Sequence, residues 1–187
     1  MIVVLEGMEG AGKTTIARVL QSLLGWVPYR ALRGDGRGWK YEAELLRHGV
    51  PFNTWIDDVY FADVVAQFGI SAILDRSMPS GLAYSLMPIE RAKEVLGIWK
   101  GLLVGQDVLV VDLSVGYSES IRRMPNPESR ALPEKEWSRI RERMTELIGA
   151  LDFPLLEIDT EDLGQGPSRT AHEIYRIAKK IGEKHGN

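Results

Sequence analysis

The tightest constraint in this sequence is the join between its first apolar run, Ile2-Val3-Val4-Leu5, and the segment after Glu6, which reads Gly7-Met8-Glu9-Gly10-Ala11-Gly12-Lys13-Thr14-Thr15. Gly7, Gly12, Lys13 and Thr14 fit the spacing G-x-x-x-x-G-K-[ST], in which a glycine-rich turn leads from a buried strand into a helix. Without a Cβ, the turn can point successive amide N–H groups inward around an anion. Ile16, Ala17, Val19, Leu20, Leu23 and Leu24 supply the apolar stripe of the helix that the pattern requires. The helix start adds the positive end of its dipole, the Lys13 ammonium can reach β- and γ-phosphates, and the Thr14 hydroxyl can ligate Mg²⁺. The stretch from Gly7 to Thr15 therefore predicts a phosphate cradle.

Strand and helix patterns alternate along the rest of the chain. Val27 to Leu32, Ser71 to Leu74, Val108 to Val111 and Leu155 to Asp159 read as further strands. Helical stretches are expected at 39–48, 54–68, 80–85, 88–103, 118–124, 134–151 and 168–183, with Gly25 closing the first helix. In the helix at 54–68, Trp55, Val59, Phe61, Ala62, Val65 and Phe68 can form the buried side. In the helix at 134–151, Trp137, Ile140, Met144, Leu147 and Ile148 can do so. This alternation predicts an α/β fold with a parallel sheet of about five strands and helices on both faces.

A length of 187 residues suits one domain. A formal net charge of −3 gives no global basic field for nucleic acid, and with no cysteine the chemistry must come from oxygen and nitrogen groups. The chain enters its first strand without a basic-apolar leader and carries no apolar run long enough for a membrane span, so a cytoplasmic protein is expected.

In an open α/β sheet, ligands bind beyond the carboxyl ends of the strands. Asp75-Arg76-Ser77 ends one strand there: Asp75 can hold a metal-bound water and Arg76 can grip a phosphate, the alternative being a structural ion pair. Asp57 and Asp58, early in their helix, either favour its dipole or face a substrate. The segment from Pro125 to Arg130 is long and polar enough for a lid, placed at about 123–135.

Three segments carry a family resemblance: LEGMEGAGKTT from Leu5 to Thr15, LDRSMPSGLAYS from Leu74 to Ser85, and VVDLSVGYSESIRR from Val110 to Arg123. Together they resemble the thymidylate kinase family of P-loop kinases, and the likeness runs in order over nearly the whole chain. The resemblance implies ATP and Mg²⁺ as cofactors and a deoxynucleotide-like acceptor. It assigns the loop and Lys13 to the ATP phosphates, Thr14 to the metal, beside the Asp75 read above as a further metal residue, and Arg76, Ser80 and Tyr84 to the acceptor side, where Ser77 is an added substrate-binding candidate. Arg122, Arg123 and Arg130 become the lid and transition-state arginines, and pairing into a homodimer through helices is a family habit.

Four departures mark the acceptor side. Ser77 stands where an aromatic residue is usual, Ser85 where a glutamine is usual, Asp63 near a usual arginine, and RALRGDGRG replaces the second-strand arginine-glutamate-proline signature. The Asp-Arg-Ser strand end also resembles the Glu-Arg-Ser of deoxynucleoside kinases, which phosphorylate a hydroxyl with a carboxylate base; Glu6, Asp35, Asp57 and Asp58 are the candidates for that base. A third resemblance is to the phage branch that phosphorylates hydroxymethyluracil in DNA, for which Arg30, Arg33, Arg37 and Lys40 would suit the backbone. A nucleotide-binding switch remains as a reading from another class.

Overall fold

The computed structural model describes residues 1–29, 54–85, 87–124, 126–161 and 166–185. The expected helix at 39–48, Asp35 and the basic residues Arg30, Arg33, Arg37 and Lys40 lie outside them. Side chains are not described at 27–29, 54–60, 129, 130, 184 and 185, so Asp57, Asp58 and Arg130 are placed only by their backbone.

Five parallel strands form one sheet among the described residues: β1 (Ile2–Gly7), β2 (Val27–Tyr29), β3 (Ala72–Asp75), β4 (Val108–Ser114) and β5 (Leu155–Asp159), in the order β2-β3-β1-β4-β5. All of β1 is buried, as its unbroken apolar run demands of a central parallel strand covered on both faces. Pro28 fits the edge strand β2, since a proline has no N–H to give a ladder.

The helices are α1 (Lys13–Leu24), α2 (Thr54–Phe68), α3 (Met78–Tyr84), α4 (Ile89–Leu102), α5 (Tyr117–Arg123), α6 (Pro127–Arg130), α7 (Glu134–Gly149) and α8 (Gly166–His185). On one face of the sheet α1, the helix after β1, packs on the last helix α8. On the other face α2, α3, α4 and α7 pack against one another. Ile16, Ala17 and Leu20 form the buried stripe of α1, and Gly25 ends that helix in the left-handed region at φ 66°, its N–H bonded to the Gln21 carbonyl at 2.8 Å. Trp137, Ile140, Met144, Leu147 and Ile148 of α7 are buried as their spacing predicts.

Two expectations fail locally. Phe68, assigned to the buried side of its helix, is 72% exposed, because Ala62 and Val65, with the partly buried Phe61, meet the core and the last turn of α2 runs past it. Residues 127–130, expected as part of a polar lid loop, form the one-turn helix α6, with Pro127 at its first position, where the missing N–H is harmless.

The connection leaving β1 runs to the β2 side of the sheet and the connection leaving β3 runs to the β4 side. Where they part, at the carboxyl ends of the two paired strands, is the place at which open α/β sheets bind their ligands. Among the described residues no helix is long and apolar enough to cross a membrane.

Candidate active site

The loop between β1 and α1 takes the shape its glycines permit. Gly7 has φ 136°, and a Cβ there would lie 2.2 Å from the Leu113 carbonyl oxygen on β4. Gly10 has φ 79°, and its Cβ would lie 2.6 Å from the Ser120 carbonyl oxygen on α5. Neither position can carry a side chain without displacing backbone. Helix α5 is docked onto the loop at this point, with the Ser120 hydroxyl donating to the Glu9 carbonyl at 2.6 Å.

Lys13 opens α1 and folds back over the loop, its Nζ donating to the carbonyls of Gly7 at 2.8 Å and Met8 at 2.6 Å. Burial pushes its ammonium well below the usual lysine pKa, with the nearby Arg76 charge acting in the same direction; Asp75, Glu6 and Glu9 oppose the shift. A concentrated positive charge held this way beside the start of α1 is suited to a polyphosphate.

The carboxyl end of β3 meets this loop. Leu5 pairs with Asp75 in the β1–β3 register, and the Thr14 hydroxyl donates to Asp75 Oδ2 at 2.6 Å. A hydroxyl and a carboxylate together beside a phosphate-binding loop fit Mg²⁺, which takes oxygen ligands and is usually shared between one or two carboxylates and substrate phosphates. The next residue, Arg76, has φ 73°, its N–H donating to the Leu5 carbonyl at 3.0 Å. Its guanidinium carbon lies 5.7 Å from the centroid of the Tyr84 ring, within range of a cation–π contact. The structure thus brings Lys13, Thr14, Asp75, Arg76 and Tyr84 together from the start of α1, the end of β3 and the end of α3.

Ser77 and Ser80, both expected on the acceptor side, have a different job. Both are fully buried, and both hydroxyls turn to the carboxylate of Glu6. Ser77 donates its N–H at 3.0 Å and its hydroxyl at 2.7 Å to Oε1, while the Ser80 hydroxyl donates to Oε2. Burial raises the Glu6 carboxyl above its usual pKa, against the opposing pull of Ser80, Ser77, Arg76 and Lys13. With three donors on its two oxygens and no exposure, Glu6 is not a candidate for the catalytic base.

Arg123 is also corrected. Its Nε donates to Glu119 at 2.6 Å, its Nη1 to the Thr160 hydroxyl at 3.0 Å and its Nη2 to the Thr160 carbonyl at 2.8 Å. It fastens α5 to the end of β5 and has no terminal nitrogen left over for a transferring phosphate. Arg122 is exposed and forms a forked pair with the same Glu119, through Nε at 2.6 Å and Nη2 at 2.5 Å.

Two arginines of α7 escaped the sequence reading. Arg141 makes a bidentate pair with Asp112 on β4, at 2.7 and 2.8 Å, and Asp112 is paired with Glu6 in the β1–β4 register. Arg143 donates to the Leu82 carbonyl at 3.1 Å and to the Met87 carbonyl, capping the carboxyl end of the helix that carries Ser80 and Tyr84. The signal was available for Arg141, which shares the apolar face of α7 with Trp137, four residues before it, and Met144, three after.

No family model matches the chain, and no curated protein matches it by sequence. Solved structures do match in shape. Deoxyadenosine kinase from M. mycoides aligns at a TM-score of 0.62 and 17% identity, over 97% of this chain and 100% of that one. YorR protein from Bacillus subtilis, solved in complex with phosphorylated GDP, aligns at a TM-score of 0.63 and 18% identity over 100% of both chains. Shikimate kinase from Acinetobacter baumannii, solved with shikimate, aligns at 0.56 and 17% identity, over 100% of this chain and 95% of that one. At such low identity the likeness speaks for architecture, and with the strand order and loop geometry above, the chain has the P-loop kinase fold.

Proposed function

We propose that this chain is an ATP-dependent phosphotransferase of the thymidylate kinase type, moving the γ-phosphate of ATP to a deoxynucleoside monophosphate. The observation that carries the reading is the end of β3: Asp75 meets Thr14 of the phosphate loop, and the very next residue, Arg76, meets Tyr84 on the acceptor side. One strand end thereby sets the spacing between a donor site and an acceptor site. A nucleotide switch with no acceptor has no use for the second half of that arrangement. The structural neighbours include kinases of a nucleoside and of a small hydroxy acid, which supports transfer chemistry on this fold.

In the transfer, an acceptor phosphate oxygen forms a bond to the γ-phosphorus, the bond to the β–γ bridging oxygen breaks, and ADP leaves with the electron pair. Such a reaction asks a protein mainly for alignment and for matched charge on the transferring oxygens. The amides from Gly7 to Thr15 and the Lys13 ammonium hold the donor phosphates. Mg²⁺, when bound, neutralises charge between the β- and γ-phosphates, with Thr14 and Asp75 as the residues that would hold it or its waters. Arg76 holds the acceptor phosphate in line, its direction fixed by Tyr84. Arg122 and Arg130 remain the lid arginines of this reading, Arg122 after leaving Glu119; an arginine in that role is worth about 10³ to 10⁵ in rate. The lid is the segment at about 123–135, within a single kinase domain.

A monophosphate attacks without a base, which agrees with Glu6 and Asp75 both being engaged by hydroxyl donors. A hydroxyl acceptor, on a deoxynucleoside or on hydroxymethyluracil in DNA, is the second reading. It is favoured by the Asp-Arg-Ser strand end and the likeness to a deoxyadenosine kinase, and needs Asp35, Asp57 or Asp58 as base. Arg76→Ala tests the assignment. Its KM for the deoxynucleoside monophosphate should rise at least tenfold with ATP affinity nearly unchanged; weakened ATP binding with a normal acceptor response would overturn it.

A further inference from the structure

Arg76 adopts a backbone conformation that side chains with a Cβ disfavour, at φ 73°. Such residues persist where the surrounding structure over-determines them, and they gather where a side chain must be aimed. Here two successive N–H groups are fixed to two successive residues of β1. The Arg76 N–H goes to the Leu5 carbonyl at 3.0 Å, and the Ser77 N–H goes to the Glu6 side chain at 3.0 Å. The Glu6 carboxylate thus takes the place of a main-chain acceptor just where the strand ladder gives out. It then gathers the hydroxyls of Ser77 and Ser80, which fixes the first turn of α3.

Glu6 is also the residue directly before Gly7, where the phosphate loop begins. A single buried carboxylate therefore joins the root of the donor loop to the backbone that carries Arg76. We infer that Glu6 is a positioning residue, holding Arg76 in the left-handed conformation that lays its guanidinium along the Tyr84 ring, and taking no part in proton transfer. The inference rests on the acceptor role proposed above for Arg76.

Glutamine separates the two roles. Its carbonyl oxygen can accept from the Ser77 N–H and hydroxyl, and its amide can donate to a Ser80 hydroxyl rotated to accept, so Glu6→Gln keeps the tie and removes any base. Glu6→Ala removes the tie, and Ser80→Ala removes one donor from it with little risk to folding. For a positioning residue, Glu6→Gln should keep kcat within about tenfold and leave the acid limb of the pH–rate profile in place. Loss of a general base instead removes about 10²- to 10⁴-fold. Ser80→Ala should raise the acceptor KM several-fold and Glu6→Ala at least tenfold, with the ATP KM nearly constant.

Crystal structures of Glu6→Ala and Ser80→Ala provide a readout that does not depend on turnover: in Glu6→Ala, Arg76 should leave the left-handed region and its contact with Tyr84. A Glu6→Gln protein that melts like wild type yet has lost 10²-fold or more in kcat would overturn the inference. So would an Arg76 that keeps its backbone conformation and ring contact in Glu6→Ala. If wild-type protein transfers phosphate to no acceptor, the proposed function fails, and the crystal structures still decide whether Glu6 holds Arg76.

Discussion

Arg141→Ala tests how α7 is held to β4, the strand beside the site. Asp112 is 2% exposed, and its two oxygens are met by the two terminal nitrogens of Arg141, whose side chain is 21% exposed. Removing one member of a buried pair strands the other charge, at a cost of about 3–5 kcal/mol. For a chain of this size each kcal/mol lowers the melting temperature by about 2–4 °C, which predicts a fall of about 6–20 °C. The pair as a whole contributes much less, because a well-packed apolar pair can replace a buried ion pair with little loss. Thermal unfolding of Arg141→Met, Asp112→Leu and the double variant, followed by circular dichroism at pH 7, closes the cycle. Both single variants should be strongly destabilised, with the double variant recovering much of the loss. An Arg141→Ala protein that melts within about 2 °C of wild type, well short of that range, would refute the reasoning.

Lys13→Met should lower transfer by about 10² to 10³-fold, as losing one preorganised charge donor does. Because burial holds the Lys13 ammonium below its ordinary pKa of 10.5, the native state binds fewer protons than the unfolded state between the two values. The melting temperature of Lys13→Met should therefore equal or exceed that of wild type at pH 7, with wild type gaining on it as pH rises toward 10.5; a less stable variant at pH 7 would contradict this. Gly10→Ala should lose about 1–2 kcal/mol to its left-handed backbone alone, and more as α5 is pushed off the loop, read as a lower melting temperature together with weaker ATP binding. Hydrogen bonds from Arg122 and then Arg123 lower the Glu119 carboxyl from 4.5 to about 2, so its stabilising effect is present above pH 4.5 and is lost as pH falls toward 2. Wild type and Glu119→Gln should converge in stability across that window, and a Glu119 carboxyl titrating near 4.5 by NMR would remove the basis for it.

The parts of the site that are contiguous in sequence were legible before the fold was known. The loop from Gly7 to Thr15 carries its own chemistry in its spacing, and Asp75-Arg76 was legible because a parallel strand that ends in charge ends at the ligand side. What escaped was pairing across the chain. Glu6 reaches Ser77 and Ser80 over 71 and 74 residues, and Arg123 reaches Thr160 over 37. Only strand order decides that those residues meet. Ser77, Ser80 and Arg123 were therefore given substrate or catalytic roles by pattern, while their donors are taken up inside the protein. A physical hint existed for Glu6: a carboxylate at the end of a wholly buried strand must find donors, and two serines follow the neighbouring strand end. Phe68 was misplaced for the opposite reason, since helical spacing defines a face but not how far along the helix that face stays covered.

The most direct measurement of the central claim is transfer of label from γ-labelled ATP to a panel of deoxynucleoside monophosphates, deoxynucleosides and hydroxymethyluracil-containing DNA, run with wild type, Lys13→Met and Arg76→Ala. The account predicts Mg²⁺-dependent labelling of a monophosphate to give a diphosphate, cut by about 10² to 10³-fold in the first variant and rescued in the second only by high acceptor concentration. Labelling confined to nucleosides or DNA, or ATP hydrolysis that no acceptor accelerates, would contradict it.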